Sequence, residues 1–267
     1  MMQMFWKFLI FVLIGYITLC ALVFIYQRQM LYFPNPYRAS EEQVLQQGLR
    51  YWPAFENHQG LISQEELADP KGTVIVFHGN AGAAYDRGFY VEALARQNLR
   101  VILAEYPGYG GRSGKPSEDV LVEDALETIR LAHQAYGEPL FLWGESLGGG
   151  VAAGAVSKTE IPIKGVVMFT PWDWLPNLAQ THYPFIPARW LVRDQYHNID
   201  NLGEFNGNIA VVLAGNDEVI PVQHGKNLYQ SITANKQLWV FEGVRHNEVP
   251  FEAELPWWSE VTAFIAD

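Results

Sequence analysis

Gly144-Glu145-Ser146-Leu147-Gly148 is the stretch whose residue types and spacing can do chemistry. The apolar run Leu140 to Trp143 leads into it, and small residues from Gly149 to Val156 follow. That reads as strand, sharp turn, helix, with a serine hydroxyl raised at the turn. Glycines at 144 and 148 lack Cβ atoms, so strand and helix can approach closely around the serine. A helix starting just after Ser146 also points free N–H groups at any negative charge that develops there. The chemistry implied is nucleophilic attack by a serine.

A serine hydroxyl is a weak nucleophile and needs a base, which in turn needs an orienting acid. Of seven histidines, His246 lies just after the last predicted strand, in Gly243-Val244-Arg245-His246-Asn247. Asp217 follows the predicted strand 209–214, in Gly215-Asn216-Asp217-Glu218. Alone, such a histidine reads as a surface residue and such an aspartate as a turn residue. Glu218 is the rival acid by adjacency. Oxyanion stabilisation needs two N–H donors. One is expected from Leu147, the residue after the serine. The other is expected from His78-Gly79-Asn80-Ala81-Gly82, with Asn80 preferred over Ala81 and His78 bracing the loop.

The elements that must position these residues alternate along the chain. Buried-strand runs at 73–77, 101–104, 140–143, 163–169, 209–214 and 237–241 are separated by helical stretches, with 49–55 a weaker strand. Ser117 is a predicted N-cap with Glu118 and Asp119 in the first turn, and Gly137 a stop. This pattern predicts an α/β fold: a mostly parallel twisted sheet with helices on both faces. In such sheets ligands bind beyond the carboxyl ends of the strands, where His78, Tyr106, Ser146, Asp217 and His246 all fall.

The amino-terminal stretch differs. Residues 8–26 contain no charge and no proline, which is enough to cross a bilayer as a helix. A cleaved signal peptide would carry a shorter apolar region and a small-x-small site. Thr18-Leu19-Cys20-Ala21 supplies neither that site nor a good lipoprotein site, so the reading is an uncleaved single-pass anchor over 5–27. A juxtamembrane segment then covers 28–47 and a catalytic domain 48–267. Lys7 on one side against Arg28 and Arg38 on the other nearly balances the positive-inside rule. The domain is read as lying on the exported side. A net charge of -11 argues against a nucleic-acid partner. One cysteine permits no intramolecular disulfide, and no zinc-ligand spacing is present.

Taken together, Tyr32-Phe33-Pro34, His78-Gly79-Asn80-Ala81, Tyr106-Pro107-Gly108-Tyr109-Gly110, Gly144 to Gly149, Asp217 and His246 resemble the membrane-anchored serine hydrolases of the alpha/beta-hydrolase-domain group. The order Ser146, Asp217, His246 is that of α/β-hydrolases. The resemblance covers nearly the whole chain. It implies the α/β-hydrolase fold and hydrolysis of ester or thioester bonds in lipid or acyl substrates through an acyl-enzyme. It implies neither metal nor organic cofactor. Residues between 169 and 209 are too few for a large lid, so a minimal cap is expected. Its aromatics Trp172 and Trp174, with Tyr106, are expected at the substrate; packing under the cap is the equal alternative for the two tryptophans. Other functions on the same residues are a serine peptidase and a non-catalytic membrane scaffold.

Overall fold

The computed structural model describes residues 1–267. In chain order the elements are α1 (Met2–Leu31), β1 (Phe33–Pro34), α2 (Glu41–Gln46), β2 (Leu49–Trp52), β3 (Gly60–Ser63), β4 (Thr73–Phe77), β5 (Ala81–Gly82), α3 (Gly88–Ala95), β6 (Arg100–Ala104) and α4 (Glu118–Tyr136). There follow β7 (Leu140–Glu145), α5 (Leu147–Val156), β8 (Ile163–Phe169), α6 (Leu175–His182), α7 (Ala188–Leu191), α8 (Asn198–Asn201), β9 (Asn208–Ala214), α9 (Val222–Ser231), β10 (Lys236–Phe241) and α10 (Pro256–Ala266).

Eight strands form one sheet in the order β10-β9-β8-β7-β4-β6-β3-β2. From β10 to β6 every pairing is parallel, while β3 and β2 join antiparallel at one edge. Strand β4 shows why the sheet is covered on both faces. All five of its residues are buried. Successive side chains point to opposite faces, so Ile75 and Phe77 join one apolar core and Val74 and Val76 the other. The first core is closed by α4, α5 and α9, through residues such as Ile129, Val151 and Leu228. The second is closed by α3 and α10, through Leu94, Trp258 and Val261.

Local signals in the sequence set the ends of α4. Ser117 Oγ accepts from Val120 N at 3.4 Å, and Gly137 terminates the helix at φ 70°, a left-handed angle that glycine adopts without strain. Strand β3 was not anticipated, because Gly60-Leu61-Ile62-Ser63 is too short an apolar run to stand out. The cap between β8 and β9 is small, as expected, and consists of α6, α7 and α8.

The greatest departure from expectation is the segment 28–47, which packs into the α/β domain. Tyr32, Ala39 and Val44 are buried in its cores, and β1 pairs in parallel with β5. A boundary at Gly48 therefore cuts through packed structure. Helix α1 itself has no buried residue and is long and apolar enough to cross a membrane.

Candidate active site

Strand β7 ends at Glu145 and α5 begins at Leu147, leaving Ser146 alone in the turn with φ 52° and ψ −110°. A non-glycine residue at positive φ is strained and persists only where its surroundings hold it. Two restraints are evident. A Cβ at Gly148 would run into the Phe77 carbonyl, and one at Gly144 into the Gly148–Gly149 backbone, so strand and helix are locked at close range. Glu145 in turn takes a bidentate ion pair from Arg87, with Nε–Oε2 at 3.0 Å and Nη2–Oε1 at 2.9 Å, and a hydrogen bond from Tyr90 at 3.1 Å. Arg87 and Tyr90 were not singled out from sequence. An acid within Gly-x-Ser-x-Gly was the available signal that a basic partner had to lie nearby.

Asp217 and His246 meet beyond the carboxyl ends of β9 and β10. His246 Nδ1 lies 2.7 Å from Asp217 Oδ2, and both side chains are largely buried. Asp217 Oδ1 accepts from Val219 N at 2.9 Å and Ile220 N at 2.7 Å. An ionised carboxylate only accepts, so in this pairing Nδ1 donates and the neutral ring is left with Nε2 as its acceptor. Glu218 is directed elsewhere. It pairs with Arg245 at 2.9 Å and accepts from the His246 backbone N at 3.3 Å. These backbone and arginine contacts hold its carboxyl below the usual carboxylate range. No hydrogen bond joins Ser146 Oγ to His246 Nε2.

The loop after β4 is braced by a buried network. His78 places Nε2 3.1 Å from Glu105 Oε1 and Nδ1 2.7 Å from the Gly79 carbonyl. Tyr106 donates to the His78 carbonyl at 2.8 Å and Tyr109 to the Asn80 carbonyl at 2.9 Å. Asn80 is also joined to the end of α1 and to β1: its Nδ2 donates to the Leu31 carbonyl at 2.9 Å, and its carbonyl accepts from Phe33 N at 2.9 Å. Leu147 opens α5, so its N–H has no carbonyl within the helix to bind.

A cavity of about 540 Å³ runs from Ser146, Leu147 and Asn80 up between the cap and the last turns of α1. Val219 and Ile220, whose N–H groups hold Asp217, line the same cavity. Trp172 lines it, with Nε1 fixed on the Tyr196 carbonyl at 3.2 Å. Tyr106 and Trp174 do not. Tyr106 is sealed in the core, where burial pushes its phenol well up and keeps it a neutral donor. Trp174 stacks on His197 with ring centroids 4.8 Å apart, which serves cap packing.

The other wall of the cavity was not foreseen. It includes Val23, Gln27, Met30 and Leu31 of α1. Arg28 clamps that helix to the cap through Asp194, with Nε–Oδ2 at 3.0 Å and Nη2–Oδ1 at 2.8 Å. Tyr32 adds a bond to Asp194 at 3.1 Å and lies 3.1 Å from the Tyr196 hydroxyl. An almost wholly apolar helix has no polar face to betray which side packs. Gln27 and Arg28 at its end were the only sequence signal.

Comparison with known proteins agrees with this architecture. The family model Hydrolase_4, described as serine aminopeptidase S33, matches residues 68–199. An uncharacterized protein of Mycobacterium tuberculosis (strain ATCC 25618 / H37Rv) is 33% identical over 178 residues, covering 66% of this chain and 63% of that one. Lysophosphatidylserine lipase ABHD12 of Bos taurus is 25% identical over 224 residues, covering 77% of this chain and 56% of that one. The chain thus spans a little over half the length of these curated relatives. Among solved structures, an esterase of Pyrococcus furiosus superposes with a TM-score of 0.67 at 16% identity, covering 88% of this chain and 97% of that one. A monoacylglycerol lipase of Paleococcus ferrophilus gives 0.56 at 21% identity, covering 74% and 95%. The chain has the α/β-hydrolase fold, and its sequence is similar to the hydrolase family model over residues 68–199 and to the lipase of Bos taurus.

Proposed function

We propose that this chain is a membrane-anchored serine hydrolase that cleaves carboxylic ester or thioester bonds of acyl substrates. The observation that carries the reading is the 2.7 Å bond between His246 Nδ1 and Asp217 Oδ2. It leaves Nε2 as the base, and Val219 and Ile220, which hold Asp217, line the apolar cavity that Ser146 also lines.

In this reading Ser146 Oγ attacks the acyl carbonyl carbon and His246 Nε2 takes the hydroxyl proton. Asp217 holds the imidazole in the required tautomer and stabilises its positive charge. The N–H groups of Leu147 and Asn80 hold the oxyanion. Collapse expels the alcohol or thiol, which leaves with the proton from Nε2. Water then attacks the acyl-enzyme by the same steps in reverse roles and releases the carboxylic acid. The Ser146–His246 hydrogen bond absent from the free enzyme closes when substrate fills the site.

The matching family model's description favours a second reading, an aminopeptidase. Such an enzyme needs a free carboxylate for the substrate's amino group. The two acids on the cavity wall, Asp194 and Glu218, are already paired with Arg28 and Arg245, which favours the acyl substrate. The test is labelling by a fluorophosphonate, followed by turnover of a p-nitrophenyl ester, an acyl thioester and an aminoacyl anilide. An enzyme that hydrolyses the anilide best excludes the ester reading.

A further inference from the structure

The cap segment Tyr183–Leu191 runs along α1. Tyr16 donates to the Phe185 carbonyl at 3.1 Å, Gln27 donates to the Leu191 carbonyl at 3.1 Å, and Arg193 N donates to Gln27 Oε1 at 2.7 Å. Tyr16 and Gln27 are separated by about 16 Å along the helix. A bilayer crossing takes about 20 residues. Any such stretch placed within 2–26 contains Tyr16. The loop around Phe185 therefore reaches the depth of the hydrocarbon whenever α1 spans a membrane.

The apolar side chains of the loop suit that depth, and its one charge, Arg189, lies over the Trp174 ring at 5.1 Å. Phe185 and Trp190 are 89% and 85% exposed, far beyond what an apolar side chain gains in water. Irregular backbone cannot sit in lipid unless its polar groups are satisfied from within. Here every carbonyl from Tyr183 to Pro187 accepts a hydrogen bond from the chain. Ile186 N serves Tyr183 at 3.1 Å and Ala188 N serves Ile186 at 2.7 Å, which frees Gln180 Nε2 for Pro184 at 3.4 Å. Tyr16 serves Phe185, and Trp190 N serves Pro187 at 3.1 Å. Pro184 and Pro187 have no N–H to satisfy.

The cavity lies between this segment and α1. Val23, Met30 and Leu31 of the helix face Leu178 and Leu191 of the cap across it, and Ser146 is at its inner end. We propose that the cap segment Tyr183–Leu191 is inserted in one leaflet beside the anchor, and that the cavity draws a single acyl chain of a membrane lipid sideways from that leaflet, with α1 as one wall of the acyl site. This rests on the serine-hydrolase reading above and adds where the substrate comes from and which residues measure its chain. The transmembrane helix is then a specificity element as well as a tether.

The test uses the full-length protein in phosphatidylcholine vesicles. In one arm, Phe185→Cys in a Cys20→Ser background carries an NBD fluorophore, and quenching by lipids with a nitroxide on the acyl chain is measured. Strong quenching is expected; a probe quenched no more than by an aqueous nitroxide overturns the insertion. In the second arm, Val23→Trp narrows the cavity from the helix side. The ratio of kcat/KM for p-nitrophenyl palmitate to that for p-nitrophenyl butyrate should fall roughly tenfold, the size of effect one misplaced group has in an apolar pocket. Ile10→Trp, on the same helix but outside the cavity, should leave the ratio unchanged. An unchanged ratio in Val23→Trp overturns the acyl wall. Fluorophosphonate labelling of each protein keeps the two readings apart: if the parent protein is not labelled, the serine mechanism fails; if it is labelled and both arms fail, only the leaflet proposal does.

Discussion

Asn80 donates its side-chain amide to the carbonyl of Leu31, at 2.9 Å, so the loop proposed to hold the oxyanion hangs from the last residue of α1. The β1–β5 pairing repeats the connection through the backbone, with Phe33 opposite Ala81. The loop is therefore positioned from two sides: by His78, Tyr106 and Tyr109 from the sheet, and by α1 from outside it.

Asn80→Ala removes the side-chain tie and keeps the backbone N–H. It should lower kcat roughly tenfold, less than the 10²–10³ lost when an oxyanion donor itself is removed, and leave KM little changed. Steady-state kinetics on a short soluble ester is the measurement. A rise in KM at constant kcat contradicts a role in placing the donor.

Ser146→Ala should abolish fluorophosphonate labelling while the circular-dichroism spectrum stays that of the parent. Alanine also relieves no cavity and buries no polar group, so stability should change little. Labelling that persists in the folded variant removes Ser146 as the nucleophile.

Asp217→Asn should reduce kcat on the order of 10³ to 10⁴-fold, because the amide favours the wrong imidazole tautomer. Glu218→Gln, whose side chain touches Arg245 and a backbone N–H but not the ring, should cost no more than a few-fold. The reverse ranking of the two variants assigns the acid to Glu218.

Truncation discriminates where the catalytic domain begins. A chain starting at Gln29 keeps Leu31, Tyr32 and β1 and should fold and turn over a short ester, with stability reduced by about 2 kcal/mol for the lost Arg28 bonds to Asp194. A chain starting at Gly48 loses Tyr32, Ala39 and Val44 from the cores. It should be insoluble or unfolded by circular dichroism. Equal melting temperatures and equal turnover for the two would return the domain boundary to Gly48.

The sheet was legible because buried parallel strands leave dense signals. Thr73 to Phe77, Val166 to Phe169 and Ile209 to Ala214 are continuous β-branched or apolar runs, and the structure places strands there. The proposed triad was legible because each member follows such a run. Side-chain placement outside the strands was not. Tyr106 and Trp174 were expected at the substrate because aromatics near a strand end suit both a pocket and a core, and their types carry no direction. The packed face of α1 was invisible for a related reason: neighbours on a uniformly apolar surface give no contrast from which a contact can be read.

The Arg28–Asp194 clamp joins residues 166 positions apart, and this fixes an order of assembly. Helix α1 precedes every strand of the sheet in the chain. Its partner residue follows β8, and the cap cannot settle until β9 closes beside it. Contacts of such sequence separation form late, after the costly loop closures that precede them. The cavity, which needs both walls, is thus completed only after the cap has formed. On the membrane-anchored reading proposed above, a newly made chain carries no finished cavity until α1 is seated in the bilayer.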